Sequence, residues 1–413
     1  MNRAYSAILF VVISIAMLMG AAAHGKPHKK QKQAITTPAL SADVDGAAEA
    51  QLIGIYKLIG QAKARQALAE AEKLVQHHPN FQLAQLVYGD LLAAQARPVR
   101  MLGDVPDTTA SAGAAALAEL REESQLRLKA LRERPPVGSV PSQFIALSPR
   151  NRHAIAVDAS RSRLYLFENT AQGLTLLADY YISVGKSGIE KAAEGDLRTP
   201  LGVYFVTSNL DRKSLKEIYG AGALPINYPN PYDVLRGRSG SGIWLHGTPP
   251  TQFSRAPKAT DGCVVLANAD LLRIIKTVEI RTTPVVLAQQ LQWVTPNTLQ
   301  ADRAAFEQTL QAWRAAKSSG DVGAVLAHYT SDFSSYGKSL AEWTPSLRSE
   351  MARRSGGALE LKDVSLLRWK DTSDTMVVTF GELASDARTG PTRRQYWIRL
   401  GAQWKIFFEG VIG

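Results

Sequence analysis

The segment from Ile243 to Leu266 constrains this chain most, because it holds the only cysteine of the sequence between two apolar runs. One apolar run leads into His246, and the other follows Cys263 directly. This pattern predicts a strand that ends at the histidine and a second buried element that begins at the cysteine. The imidazole and the thiol would then meet at one end of a sheet.

A cysteine beside a histidine can act as a nucleophile. A free thiol has a pKa of about 8.5, so little thiolate is present at neutral pH, and a neighbouring imidazole can accept the proton. Gly262 directly precedes Cys263, which leaves the backbone amides there open to a developing oxyanion. The alternative is a small buried cysteine and an unrelated loop histidine, and the pair alone does not decide between the two.

The first residues of the chain have the pattern of a signal peptide. Arg3 precedes an apolar run from Ala7 to Ala23, which ends in small residues that suit a signal peptidase. We therefore predict a signal peptide over residues 1–23 and a periplasmic location, with an uncleaved membrane anchor as the alternative. A lone cysteine in an oxidising compartment is a liability unless it has a use, which favours a catalytic Cys263.

Further sequence blocks accompany the histidine and the cysteine. They are Thr260-Asp261-Gly262-Cys263, Gly195 to Tyr204 with its Thr-Pro-Leu-Gly core, Tyr219-Gly220, Pro225 to Asn230, and Thr283-Pro284-Val285-Val286. As a set, these blocks resemble the YkuD-type catalytic domain of the peptidoglycan-modifying L,D-transpeptidases. In one departure, Val265 stands two positions after the cysteine, where many members of that family carry Arg or Asn.

The resemblance implies a role for each residue of the motif. Cys263 would attack an L,D-configured peptide bond of a peptidoglycan stem and form a thioester, with His246 as general base and then acid. The carbonyl of Gly247 would orient the imidazole, and the amides of Gly262 and Cys263 would bind the oxyanion. An amine or water would then accept the acyl group. Members of the family need no metal or organic cofactor, so none is expected.

Several other residues are candidate substrate contacts. They lie in the long excursion before the histidine or in the connection before the cysteine: Tyr219, Tyr228, Asn230, Arg255, Thr260 and Asp261. Long loops beside a site often form substrate walls. Packing by the tyrosines and ordinary loop charges are equally compatible with the sequence, and Asp261 could instead hold its loop through an Asx-type backbone bond.

Helical patterns dominate the N-terminal third. A basic disordered linker is predicted over residues 24–46, and a helical region over residues 47–134, part of which resembles a single tetratricopeptide-type hairpin. One such repeat needs another surface to pack on, which favours a scaffold for the catalytic domain over a partner-binding groove. The segments 98–115 and 135–149 are predicted to be a linker and a loop.

The rest of the chain predicts two more domains. Repeated short strands over residues 150–292 indicate a mainly β, sandwich-like catalytic domain. Residues 299–413 show helices and then strands, an α+β order that resembles a nuclear-transport-factor-like cone. We thus expect a multidomain protein, with an N-terminal α-helical hairpin region, this central domain and a C-terminal cone-like domain. Such cones have a pocket, so the last domain could bind a ligand or the wall; we favour a non-catalytic module that positions the enzyme.

Charge narrows the classes of partner. The formal net charge is +11, but the basic residues outside the linker are dispersed, so nucleic-acid binding is not expected. Peptidoglycan is the expected partner, a wall-linked outer-membrane protein is a candidate acyl acceptor, and membrane contact is expected only through an uncleaved signal. Two functions stay open. One is an L,D-transpeptidase that makes 3→3 cross-links or attaches or releases a wall-linked protein, and the other is a non-catalytic or hydrolytic peptidoglycan-binding scaffold.

Overall fold

The computed structural model describes residues 46–104, 113–353, 358–384 and 388–412. The predicted signal peptide and the predicted basic linker, apart from Gly46, lie outside the described residues. Within these ranges, no helix combines the length and the apolar character needed to cross a bilayer.

The described helices are α1 (Ala47–Gly60), α2 (Ala64–His77), α3 (Gln82–Ala93), α4 (Ala114–Arg132), α5 (Pro231–Leu235), α6 (Asn268–Thr277), α7 (Gln300–Ser319), α8 (Val322–Leu326) and α9 (Leu340–Arg353). The first ten strands are β1 (Val140–Pro141), β2 (Phe144–Ala146), β3 (His153–Asp158), β4 (Arg163–Thr170), β5 (Gly173–Tyr181), β6 (Val184–Gly185), β7 (Gly202–Phe205), β8 (Leu210–Asp211), β9 (Gly222–Pro225) and β10 (Trp244–His246). The others are β11 (Lys258–Thr260), β12 (Val264–Val265), β13 (Pro284–Ala288), β14 (Trp293–Val294), β15 (Ser334–Ser335), β16 (Lys338–Ser339), β17 (Leu359–Lys370), β18 (Asp374–Ala384), β19 (Thr392–Leu400) and β20 (Gln403–Val411).

The central domain is a sandwich of two sheets, as predicted. The first sheet has the order β5-β4-β3-β13-β7, and the second has the order β12-β10-β9-β8. Their facing side chains, together with those of α6, form one apolar core, which includes Ile155, Leu166, Val285, Leu224, Leu245, Val264 and Leu271. The alternation of buried side chains along β3, β4 and β13 supplies one face of this core, and the other face of the same strands is also buried.

The C-terminal domain is an α+β cone, also as predicted. Its antiparallel sheet has the order β2-β17-β18-β19-β20, and α7, α8 and α9 contribute to the core on one face. Phe306, Leu310 and Trp313 of α7 are buried there, on the face that their spacing predicted. The cone's interior is filled by aromatic rings and by ion pairs of Lys317 with Glu350 (3.0 Å) and Glu382 (2.7 Å).

The second face of this sheet packs against the central sheet of the catalytic domain. Side chains from both domains form a shared apolar core, among them Ala156, Phe167, Phe205, Leu367, Trp369, Tyr396 and Phe407. A cavity of about 1130 Å³ opens at this junction and is lined by residues of both domains, including Phe205, Asn227, Tyr336 and Arg394. The resemblance implied a pocket inside the cone. This cavity lies instead on the opposite face of the C-terminal sheet, which packs on the catalytic domain.

The segment before the catalytic domain is not a simple loop. It contains β1 and β2, and β2 pairs with β17 as the edge strand of the C-terminal sheet. The prediction of a loop over residues 135–149 was wrong because strands this short carry too few residues to show a period.

Candidate functional site

Two neighbouring strands carry the histidine and the cysteine. β10 runs parallel to β12, with Leu245 opposite Val264 and His246 opposite Val265. β10 ends at the histidine and β12 begins directly after Cys263, as the apolar runs of the sequence predicted. Because the two strands are parallel, Cys263 lies toward the start of β10 and His246 at its end, which differs from the expectation that both meet at one end of the sheet.

The imidazole of His246 is held in one tautomer. Its side chain is buried, and Nδ1 lies 2.7 Å from the carbonyl oxygen of Gly247. A carbonyl can only accept, so Nδ1 carries the proton and Nε2 carries the lone pair. Burial lowers the pKa of His246 to about 4, against the opposing effect of the Gly247 hydrogen bond. The ring is therefore a neutral base at neutral pH.

The thiol of Cys263 is partly exposed, with Sγ 3.4 Å from the carbonyl oxygen of Gly242. Burial raises the pKa of Cys263, while a backbone hydrogen bond from Trp244 and the charge of Arg255 act in the opposite direction. The resting pair is thus a thiol and a neutral imidazole. In such a pair the proton leaves the sulfur as the sulfur attacks, rather than beforehand.

Gly262 occupies a backbone conformation that side chains disfavour. Its φ is +125°, and a Cβ placed there would lie 2.7 Å from the carbonyl oxygen of Arg198. Its amide donates to the hydroxyl of Thr260 at 3.1 Å, and that hydroxyl donates to the carbonyl of Cys263 at 2.7 Å. The expected pair of oxyanion donors is therefore not assembled as the resemblance implied, because one amide is already engaged; the amide of Cys263 is the remaining candidate.

Thr199 is a site residue that the sequence analysis did not single out. Its hydroxyl donates to the carbonyl of Gly262 and accepts from the amide of Gly185, both at 2.9 Å, and it is 1% exposed. It ties the loop that carries the cysteine to the end of β6. The Thr-Pro-Leu-Gly block was the available signal, but the block does not show what the hydroxyl bonds.

Asn268 is a second residue of this kind. Its Oδ1 accepts from the amide of Ala221, and its Nδ2 donates to the carbonyl of Thr248, both at 2.8 Å. A Cβ on Gly247 would lie 2.1 Å from Asn268 Oδ1. The absence of a side chain at Gly247 thus allows α6 to hold the turn that follows the histidine.

The predicted substrate contacts fall into two groups. Tyr219 and Arg255 are at the site: the tyrosine ring meets the imidazole of His246 edge-on at 5.0 Å, and the guanidinium donates to the carbonyl of Ile218 at 3.3 Å. Both side chains are partly exposed, so both could reach a substrate. Thr260 is buried, and its hydroxyl is already bonded within the loop.

The second group has structural partners of its own. The hydroxyl of Tyr228 donates to the carbonyl of Ser239 at 2.9 Å, and its ring is buried in the core. The side chain of Asn230 is buried and caps α5. The side chain of Asp261 is 77% exposed and forms an ion pair with Lys186 at 2.9 Å. The loop is held instead by the hydroxyl of Thr260, which accepts from the amide of Gly262. These contacts favour packing for the first two, and their role as substrate contacts stays a prediction.

No three His, Cys, Asp or Glu side chains are grouped as metal ligands would be within the ranges that the structure describes. The expectation that no cofactor is needed stays a prediction.

Comparisons with known families match two parts of the chain. Residues 152–287 match the L,D-transpeptidase catalytic domain of the YkuD family, and residues 305–410 match the Cds6 C-terminal NTF2-like domain. The protein therefore has a YkuD-type L,D-transpeptidase catalytic domain followed by a Cds6-type NTF2-like domain, as the sequence motifs indicated.

Two solved structures share this fold at low sequence identity. Bd1075 from Bdellovibrio bacteriovorus is 22% identical, with a TM-score of 0.56 over 66% of this chain and 98% of its own. Pgp2 from Campylobacter jejuni, a helical cell shape determining protein, is 18% identical, with a TM-score of 0.52 over 71% of this chain and 99% of its own. The search of curated proteins found no significant match.

Proposed function

We propose that this protein is an exported cysteine L,D-transpeptidase that acts on peptidoglycan stem peptides through a thioester at Cys263. The observation that carries the proposal is the pairing of β10, which ends at a buried imidazole, with β12, which begins directly after the thiol residue. The match of residues 152–287 to the catalytic-domain family supports peptidoglycan as the substrate. The signal-peptide pattern at the N terminus supports a periplasmic location.

The reaction follows from the neutral resting pair. Sγ of Cys263 attacks the carbonyl carbon of the L,D-peptide bond, and Nε2 of His246 takes the thiol proton. The carbon–nitrogen bond breaks, the imidazolium returns the proton to the leaving amine, and a carbon–sulfur bond remains as the thioester. An acceptor amine or water then attacks the thioester and regenerates the thiol.

The acceptor decides the biological outcome. An amine of a second stem gives a 3→3 cross-link, an amine of a protein gives a wall-linked protein, and water gives net hydrolysis. The fold that this chain shares with Pgp2, whose name associates it with cell shape, supports a role in wall architecture. The alternative function is a peptidoglycan-binding scaffold without turnover.

Intact-mass spectrometry of residues 24–413 with isolated tetrapeptide and pentapeptide muropeptides tests the proposal. We expect an acyl adduct on the wild-type protein and none on Cys263→Ala, and the masses of the released products identify the acceptor. Folded wild-type protein that forms neither adduct nor product with both donors would contradict the enzyme and favour the scaffold.

A further inference from the structure

The connection between the histidine and the cysteine is held from outside the catalytic domain. Phe253, in the middle of this connection, stacks on Phe81 of the turn between α2 and α3, with ring centroids 4.1 Å apart and an interplanar angle of 22°. His78 meets the same ring edge-on at 5.3 Å. Offset stacking of this kind adds to the burial of the rings themselves.

Hydrogen bonds fix the backbone on both sides of this stack. Asn80 Nδ2 donates to the carbonyl of Pro250 at 2.9 Å, and the Asn80 carbonyl accepts from the amide of Phe253 at 3.1 Å. Ser254 Oγ donates to Glu123 of α4 at 2.8 Å. Residues 250–254 therefore contact the turn between α2 and α3 and also α4.

A buried ion cluster joins the same helices to the catalytic domain. Glu49 of α1 pairs with Arg163 of β4 at 2.7 Å and with Arg127 of α4 at 3.0 Å. The Arg127 guanidinium lies 3.9 Å from the ring centroid of Tyr181, whose hydroxyl donates to the carbonyl of Arg255 at 3.0 Å. Separating the helices from the catalytic domain would leave buried charges uncompensated, which is costly, so the ion cluster fixes their relative position.

Arg255 directly follows this supported segment, and Tyr181 holds its backbone carbonyl. Its guanidinium donates to Ile218, whose neighbour Tyr219 packs against His246. The charged groups that act on the thiol are Arg255, Asp261 and Lys191.

The position two residues after the cysteine adds no charge. Val265 is apolar and buried, so the polar side chain that many members of the family carry there is absent. The cations that act on the thiol, Arg255 and Lys191, therefore come from other segments, and the connection supplies Arg255.

We propose that the helical region is a working part of the active site: through Phe253 it positions Arg255, which supplies a positive charge to the site of His246 and Cys263. The charge acts on the thiol whether or not a substrate is present, and its use in turnover rests on the proposed function. Phe253 is accordingly a positioning residue, and Asn80 and Ser254 assist it.

Alkylation by iodoacetamide tests this proposal without peptidoglycan. Cys263 is the only cysteine, so the alkylation rate of residues 24–413 reports on that thiol alone. The rate is followed from about pH 6 to about pH 10, because the thiolate is the reacting form. The variants are Arg255→Ala, Phe253→Ala and the double variant, with Lys258→Ala as the control for an exposed cation of the same connection and Phe253→Tyr as the conservative rescue.

We expect each single variant to slow alkylation at neutral pH by roughly tenfold, which corresponds to a rise of one unit in the pKa of the thiol. The double variant is expected to be no slower than Arg255→Ala, because both changes remove the same charge. Both controls are expected to follow the wild type. Should Phe253→Ala lose folded protein in a thermal melt, Ser254→Ala is the milder change and is expected to shift the profile in the same direction.

Two results would overturn the inference. One is an unchanged profile in Phe253→Ala, and in Ser254→Ala where that variant is needed, beside a shifted profile in Arg255→Ala. The other is a double variant whose loss is the product of the two single losses, since independent effects multiply. If the wild type forms an acyl adduct but the pH profile of alkylation is unchanged in the variants, only the positioning role is contradicted. If the profile shifts in the variants but the wild type forms no adduct, only the proposed function is contradicted.

Discussion

Replacing Thr199 with valine is expected to destabilise the loop that carries Cys263 and to slow its acylation, while the protein stays folded. The hydroxyl bridges the carbonyl of Gly262 and the amide of Gly185, both at 2.9 Å, in a buried position. Valine keeps nearly the same shape but leaves both backbone groups without this partner. A buried polar group that loses its partner costs about 1–3 kcal/mol, so the free energy of unfolding should fall by about 2–6 kcal/mol, and by less where the loop relaxes toward water.

The assay for this prediction has two readouts. Urea denaturation of residues 24–413 measures the free energy of unfolding, and time-resolved intact mass measures the acylation of Cys263. We expect acylation to slow by at least about tenfold, because a shift of the order of 1 Å at the nucleophile is costly. Thr199→Ser keeps the hydroxyl and is the matched control. We expect the serine variant to resemble the wild type. A valine variant that also equals the wild type in both readouts would refute the bridging role.

Two further predictions concern the same site. Gly262→Ala is expected to slow acylation at least about tenfold, because φ is +125° and the new Cβ would lie 2.7 Å from a backbone oxygen. The control is Gly237→Ala, where φ is +67° and the space is open, so the variant costs only about 1–3 kcal/mol of backbone strain. Equal acylation rates in the two variants would contradict this reasoning. The second prediction concerns pH: since burial lowers the pKa of His246 to about 4, the imidazole stays a neutral base down to that pH, and kcat/KM for acylation should fall only as pH drops through about 4. A pH profile of kcat/KM that already falls through about pH 6.5, the ordinary pKa of histidine, would show that the imidazole is not held neutral by burial.

The sequence predicts the strands of this site well because their signals are local. The apolar runs around His246 and Cys263 are strand-forming segments, and β10 and β12 form at those places. The positive φ of Gly262 is a conformation that glycine adopts readily, but the sequence predicted only open amides at this position.

The contacts that hold the site together are not local, which is why the sequence does not show them. Thr199 meets Gly262 across 63 positions, and Asn80 meets Pro250 across 170 positions. A single sequence carries no signal of such pairings, since each residue is by itself an ordinary loop residue. The engagement of the Gly262 amide by Thr260 was missed for a different reason: a hydroxyl two residues before an amide can bond it or not, and only the turn geometry decides.

The layers of the molecule imply that its domains do not act as separable parts. One face of the central sheet packs on the second sheet, which carries β10 and β12, and the other face packs on the C-terminal sheet. β2, which precedes the catalytic domain in the chain, forms the edge of that C-terminal sheet. Removing the C-terminal domain would therefore expose the apolar face that Phe167 and Phe205 share with Trp369 and would leave β2 unpaired. The NTF2-like domain thus packs on one face of the catalytic sheet, and the helical region packs on the connection between His246 and Cys263. Distant parts of the chain therefore stabilise the segments that surround the thiol.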